Sequence, residues 1–180
     1  MVEIVIPDPS LVVLVVAAGA GKSTFAARHF SEVEVLSSDR FRAIVSGDEA
    51  NQAATRAAFS LLHRELSTRL RHGRLTVVDA TSVRAMARIA LIARADAALM
   101  PVTAIVLDMP ADTVFARNAA RPARTVDMAV VRQQLAGLRE SLDGPAAPML
   151  REGFAQVVVL RDPAEVDSVR IRRRPSPTRT

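Results

Sequence analysis

The chain has 180 residues, of which 49% are hydrophobic and 24% charged, values typical of a single soluble globular domain. It contains no cysteine, which excludes disulfides and thiolate metal sites. The five arginines of residues 170–180 account for the whole net charge of +5, so the rest of the chain does not by itself indicate a polyanion partner.

The N-terminal segment predicts a turn and no targeting signal. Residues 1–10 end in Pro7-Asp8-Pro9-Ser10, and acidic Glu3 and Asp8 stand where a signal peptide requires positive charge. The longest apolar run is far too short to span a membrane. We therefore expect a cytoplasmic protein without a membrane partner.

Residues 11–25 read LVVLVVAAGAGKSTF and predict a phosphate-binding P-loop. The β-branched run Leu11–Val16 predicts a strand buried on both faces, and Ser23 onward predicts the start of a helix. Between them a loop of small residues would direct its backbone N–H groups at phosphate. The expected ATP contacts are Gly19, Ala20, Gly21, Lys22, Ser23 and Thr24. The Lys22 ammonium would reach the outer phosphates, and the Ser23 hydroxyl would hold Mg²⁺.

One position departs from the pattern G-x-x-x-x-G-K-[ST], because Val16 stands where the first glycine is usual. Valine resists positive φ, so we expect the chain to enter the loop with Val16 extended. Lys22 is the only lysine of the chain, which favours a phosphate contact that wants a compact ammonium. The alternative explanation of the single lysine is a coding bias towards arginine. The alternative to a P-loop is a glycine-rich turn without a ligand.

Two aspartates follow predicted strands whose carboxyl ends would line the ligand crevice. Asp39 comes after the strand Val33–Leu36 and would activate an acceptor hydroxyl, or else cap the following helix. Asp79 comes after the strand Leu75–Val78 in a Walker B arrangement and would hold Mg²⁺, or else serve as a turn residue. Arg42 would bind the acceptor, or else face solvent together with Arg40.

Further strands are predicted at 102–107 and 157–160, and helices at 47–72, 83–98, 111–120 and 128–142, with a short helix from Pro163. Strands alternating with helices indicate an α/β P-loop NTPase fold with a five-stranded parallel sheet flanked by helices. We expect one domain over residues 1–169 and a basic, disordered tail over 170–180.

An arginine group follows the strand at 102–107 and comprises Arg117, Arg121 and Arg124. Because Pro122 interrupts the predicted helix there, the group suits a lid that closes over the nucleotide, with Arg121 as a catalytic charge. The alternative is a solvated helix face.

Several stretches together resemble the kinase domain of bacterial polynucleotide kinase–phosphatase. They are AAGAGKSTFAARHF (17–30), EVLSSDRFRAIVS (34–46), DEANQAAT (48–55), GRLTVVDAT (73–81), PVTAIVLDMP (101–110), ARNAARPAR (116–124), VVRQQ (130–134) and REGF (151–154). The resemblance implies transfer of the ATP γ-phosphate to a 5′-hydroxyl end of DNA or RNA, with Mg²⁺, in a nucleic-acid repair enzyme that forms a homodimer.

Residue by residue, the resemblance matches Lys22 and Ser23 to the P-loop pair, Asp39 to the acceptor-activating carboxylate, and Arg117 and Arg121 to lid arginines that contact ATP. Two other functions stay open at this point. One is a P-loop kinase of a small hydroxylated metabolite, antibiotic or nucleotide sugar, which the neutral body and the absence of Trp and Tyr favour. The other is a nucleotide-binding regulator without turnover.

Overall fold

The computed structural model describes residues 1–120, 125–143 and 148–176. The strands of this part are β1 (Val2–Asp8), β2 (Leu11–Val16), β3 (Val35–Ser37), β4 (Thr76–Asp79), β5 (Val102–Leu107), β6 (Gln156–Leu160) and β7 (Val169–Pro175). The helices are α1 (Lys22–His29), α2 (Ser38–Ser46), α3 (Thr55–Arg71), α4 (Ala85–Asp96), α5 (Ala111–Ala119), α6 (Met128–Leu142) and α7 (Pro163–Asp167).

The main sheet has five parallel strands in the order β3-β4-β2-β5-β6, with helices on both faces. The predicted α/β P-loop fold is therefore confirmed. Its central strand, β2, is fully buried, as expected of a parallel strand covered on both sides.

Side chains of β2 alternate between two hydrophobic cores because successive residues of a strand point to opposite faces. Val12, Leu14 and Val16 belong to the core that packs α1 and α5. Leu11, Val13 and Val15 belong to the core that packs α3 and α4. This two-sided burial holds the carboxyl end of β2 in place, and the predicted P-loop follows directly from that end.

The neighbouring strands end at the same edge of the sheet. In the register of β3 and β4, Ser37 lies opposite Asp79. On the other side of β4, the Val16 amide donates to the Thr81 carbonyl at 3.0 Å. The P-loop, the start of α2 and the segment after β4 thus meet at one edge, as the sequence predicted for the ligand crevice.

The prediction of a disordered tail is wrong for residues 170–175, which belong to β7. This strand pairs in parallel with β1 in a separate two-stranded sheet. Val169 and Ile171 alternate with arginines, and the apolar residues pack on the core beside Ile4 and Ile6 of β1. The high charge of the segment concealed this alternation, and prolines 7 and 9 concealed β1 itself. Residues 177–180 lie outside the described part.

Two predicted element boundaries also need correction. Residues 38–46 form the helix α2, which begins before Asp39 and not after it. The long helix expected over 47–72 begins only at Thr55, after the left-handed Gly47 and a short 3₁₀ turn at Gln52–Ala54. None of the described helices combines the length and the apolar character needed to cross a bilayer.

We predict that β7 is needed for stability. Truncation after Ser168 should lower the free energy of unfolding by about 3 kcal/mol or more, because it removes the buried side chain of Val169 and the half-buried side chain of Ile171 and exposes those of Ile4 and Ile6. Urea unfolding followed by circular dichroism measures the change. Truncation after Ser176 keeps the whole strand and is the matched control. Equal stability of the two truncated proteins would show that β7 contributes nothing.

Candidate active site

The P-loop backbone turns at two glycines that have left-handed conformations. Gly19 has φ of 92° and Gly21 has φ of 98°, and Gly21 caps the N-terminus of α1. A Cβ at Gly19 would lie 2.9 Å from the Val114 carbonyl oxygen of α5, so no larger residue fits there. Since the first N–H groups of a helix have no partner within that helix, the start of α1 presents donors to an anion.

The position that departs from the P-loop pattern behaves as expected. Val16 is the last residue of β2, fully buried and extended. The turn begins after it, where the Ala20 amide donates to the Ala17 carbonyl at 3.2 Å. Ala20 was predicted to contact phosphate, and its N–H is used here inside the loop.

Lys22, Ser23 and Asp79 form a compact polar cluster at the end of β4. The Lys22 ammonium lies 3.3 Å from Asp79 Oδ1, and the Ser23 hydroxyl donates to Asp79 Oδ2 at 2.9 Å. Lys22 is 9% exposed and Asp79 only 2%. Burying these charges is tolerable because they compensate each other and Ser23 adds a hydrogen bond.

The same cluster fits a magnesium ion. Asp79 Oδ1 is buried and has no hydrogen-bond partner among the described residues, although the Lys22 ammonium lies near it. A carboxylate oxygen left in this state, next to a serine hydroxyl, supplies the hard oxygen ligands that Mg²⁺ prefers. Ser23 and Asp79 are the residues that could hold the ion.

Asp39 lies on the other side of Lys22, in the first turn of α2. Its Oδ2 is 3.9 Å from the Lys22 ammonium, and its Oδ1 accepts a very short contact from Arg42 Nη2. Ser37, not Asp39, occupies the N-cap position of α2, so the alternative interpretation of Asp39 as the helix cap is wrong. Arg42 also donates to the Glu49 carbonyl at 2.8 Å, whereas Arg40 pairs with Glu32 at the surface.

Lys22, Asp39 and Arg42 line a cavity of about 620 Å³. Its walls come from the P-loop, α2, α3, the segment after β4, and α6. Polar lining is contributed by Lys22, Asp39, Arg42, Thr81 and Gln134, and apolar lining by Phe59, Leu91 and Val130. The cavity therefore places a carboxylate, a guanidinium and an ammonium around space for a small organic group.

Only part of the predicted lid lies within the residues that the structure describes. Arg117 of α5 lies at the P-loop, since a Cβ on Gly21 would be 3.5 Å from Arg117 Nη1. Arg121 and Arg124 lie outside the described residues. The fully buried side chain of Asn118 donates to the Val126 carbonyl at 2.8 Å and accepts from the Val126 amide at 3.1 Å. Asn118 thereby ties α5 to the residues that precede α6.

Sequence reasoning missed three residues that shape the site: Asn118, Gln134 and Arg88. The Gln134 Oε1 atom accepts from the Ala18 amide of the P-loop at 2.8 Å. Arg88 is fully buried and binds both carboxylate oxygens of Glu152 at 2.6 and 2.5 Å. The contacts of Gln134 and Arg88 span 116 and 64 residues, and those of Asn118 span eight. All three form only in the folded chain, so only the motifs ARNAARPAR, VVRQQ and REGF hinted at them.

The sequence profile of AAA_33, described as an AAA domain, matches residues 11–145. The chain belongs to the AAA_33 family. It is thus a P-loop kinase domain, and membership of AAA_33 implies nucleotide binding, generally with Mg²⁺. No curated protein matches the chain.

Solved structures share the fold at low identity. A chain of the Pnkp1/Rnl/Hen1 RNA repair complex matches with a TM-score of 0.64 and 19% identity, over 76% of this chain and 46% of that one. Shikimate kinase from Acinetobacter baumannii matches with a TM-score of 0.54 and 23% identity, over 88% and 87% of the two chains. A gluconokinase from Sinorhizobium meliloti matches with 0.53 and 15%, over 87% and 84%.

This AAA_33 chain thus spans less than half the length of the RNA repair chain that it matches. At such identities the likeness concerns the fold. The names of the matched proteins differ, since one belongs to an RNA repair complex and two are a shikimate kinase and a gluconokinase. The comparisons identify a kinase and leave its acceptor to be argued from the site.

Two histidines of this AAA_33 domain have perturbed acidity. Burial, and next the charge of Arg94, lower the pKa of His63, which lines the cavity. Burial, and next the charge of Arg28, lower the pKa of His29 on α1. Both histidines are therefore held in the neutral form more firmly in the folded chain than in the unfolded chain.

We predict that stability falls as the pH is lowered from 7.5 to 5.5. Below about 6.5 the unfolded chain binds protons at His29 and His63 that the folded chain resists, so protonation favours unfolding. Urea unfolding across this range should show a smaller loss for the H29Q/H63Q double variant than for the unmodified chain.

The exposed His72→Gln variant is the control and should keep the original slope. Glu34 affects stability in a lower pH range. Burial raises the pKa of its carboxyl group, but hydrogen bonds from Arg173 and Ser31 outweigh burial and lower the pKa overall. Its contribution to stability is lost only as the pH falls below about 4.5. An unchanged slope in the double variant would contradict the assignment to the two histidines.

Proposed function

We propose that the protein is an ATP-dependent kinase that transfers the γ-phosphate to the 5′-hydroxyl end of DNA or RNA. The observation that carries this proposal is the position of Asp39. Its carboxylate lies 3.9 Å from the P-loop ammonium of Lys22 and lines the cavity that opens beside the loop. An alcohol bound in this cavity would stand between a proton acceptor and the phosphate site.

Each described site residue has a role in such a transfer. Lys22 and the N–H groups at the start of α1 bind the phosphates and neutralise their charge. Mg²⁺, when held by Ser23 and Asp79, supplies further charge neutralisation. Arg42 holds the Asp39 carboxylate in a fixed orientation. Arg117, and by the sequence pattern Arg121, would approach the nucleotide from the lid.

The reaction itself needs a positioned hydroxyl more than covalent help from the protein. The acceptor oxygen forms a bond to the γ-phosphorus while the bond from that phosphorus to the β–γ bridging oxygen breaks. The hydroxyl proton passes to the Asp39 carboxylate, and ADP leaves with the bridging oxygen. Asp39 thus acts as a general base.

The shape of the site supports a polymeric acceptor. A second cavity of about 930 Å³ lies next to the cavity beside the P-loop and runs along α6. Thr81, Ser82 and Gln134 line both. A nucleotide in the first cavity would therefore leave room for the rest of a strand in the second. The likeness to a chain of an RNA repair complex supports the same acceptor.

A second candidate is a kinase of a small hydroxylated metabolite. It is favoured by the likeness to shikimate kinase and gluconokinase, whose chains are covered to 87% and 84%, against 46% for the repair-complex chain. The formally neutral charge of the chain without its last arginines favours it as well. Acceptor selectivity separates the two candidates.

We predict that label from [γ-³²P]ATP moves to a 5′-hydroxyl oligonucleotide and not to its 5′-phosphorylated form. The D39N variant should lose transfer by about 100-fold or more, because a general base contributes roughly that factor. It should keep its affinity for ATP, since Asp39 lies on the acceptor side of Lys22. Denaturing gels measure transfer, and equilibrium dialysis measures ATP binding.

The D96N variant, which makes the same change at an exposed position at the end of α4, is the control and should retain full activity. Label that moves only to shikimate, gluconate or another small alcohol would favour the second candidate. Label that moves to no acceptor at all, with ATP bound normally, would indicate a nucleotide-binding regulator.

A further inference from the structure

Gln134 projects from α6 to the P-loop and belongs to the stretch VVRQQ, to which the sequence assigned no role. Its side-chain oxygen accepts from the Ala18 amide at 2.8 Å, across 116 residues of sequence. Ala18, Lys22 and Asp39 line the same cavity as Gln134. The side chain therefore occupies the acceptor side of the loop.

The contact with Ala18 fixes which end of the side-chain amide faces the P-loop. A backbone N–H can only donate, so the Gln134 oxygen must be the atom that faces it. The Nε2 group, with two hydrogens, is thereby directed away from the loop. Among the described residues, Nε2 donates to no protein acceptor. A half-buried amide with an unused donor is suited to a ligand oxygen.

The position of Gln134 limits which oxygen of an acceptor molecule its Nε2 group could reach. Gln134 lines both the cavity beside the P-loop and the cavity along α6, so it lies at the boundary between the two. The reacting hydroxyl must lie near Asp39, in the first cavity. The part of an acceptor that reaches Gln134 is therefore its continuation, which in a polynucleotide is the sugar–phosphate linkage to the second nucleotide.

We propose that Gln134 Nε2 donates a hydrogen bond to an oxygen of the linkage between the first and second nucleotides of the acceptor, and so favours a strand end over a lone nucleoside. This inference rests on the function proposed above. It makes Gln134 a specificity-determining residue, so that α6 would contribute to acceptor binding as well as to the hydrophobic core.

The Q134E variant tests the proposal, because glutamate keeps an oxygen for the Ala18 amide and loses the donor. With a 5′-hydroxyl dinucleotide, KM should rise by about tenfold, as expected for loss of a hydrogen bond to a charged oxygen. With a 5′-hydroxyl nucleoside that lacks the linkage, KM should change by less than about twofold. The kcat for the dinucleotide and the Kd for ATP should stay near the unmodified values.

Gln133 is exposed and lines the second cavity but not the first, so the Q133E variant brings the same charge close to the strand without changing Gln134. It is the matched control for repulsion. If Q133E raises the dinucleotide KM as much as Q134E does, the effect is general repulsion and the proposal is wrong. An unchanged KM in Q134E also overturns it. A weakening of ATP binding that parallels the rise in KM would show that Gln134 serves only to shape the P-loop.

Failure of the proposed function has a different signature. If the unmodified chain phosphorylates small alcohols and no strand end, the acceptor assignment fails, and the role of Gln134 at a nucleotide linkage fails with it. If the unmodified chain phosphorylates strand ends and Q134E does so with an unchanged KM, only the role of Gln134 is wrong.

Discussion

The site depends on one buried ammonium whose charge is compensated from two sides. Lys22 lies 3.3 Å from Asp79 and 3.9 Å from Asp39, at a position that is only 9% exposed. An unpaired charge there would be strongly destabilising, so the two carboxylates make the folded site possible before any nucleotide binds. In the proposed reaction a bound triphosphate would become the new partner of Lys22, Asp79 would then face a metal ion, and Asp39, still held by Arg42, would face the acceptor.

This arrangement follows from sheet topology more than from local sequence. The strand before Lys22 is flanked by the strand that carries Asp79, and the register of β3 on β4 places Ser37 opposite Asp79. The sequence predicted these neighbours because buried parallel strands end in polar residues at a shared edge. It also predicted the extended Val16 correctly, since steric restriction of valine is a local property that needs no knowledge of the partners.

The features that the sequence did not predict share a physical cause: each depends on a partner that only the folded chain brings into contact. The strand β7 forms because its alternating apolar residues meet β1 across more than 160 residues, and arginines on the exposed face hid that alternation. Gln134 reads as one more polar helix residue until the Ala18 amide is placed beside it. Asn118 likewise gains its role only from the nearby Val126 backbone, which a folded chain brings into reach.

Arg88 shows how a residue outside the cavity can determine the shape of its wall. Its guanidinium binds the Ser82 and Val83 carbonyls at 3.2 and 2.6 Å while the Glu152 carboxylate neutralises it. Ser82 has a φ of 47°, unusual for a residue other than glycine, and it lines both cavities. A sparsely populated backbone conformation persists only where its surroundings hold it. The buried ion pair supplies that restraint, so Glu152 of the REGF segment, which also lines the second cavity, helps to hold the backbone after β4 through Arg88.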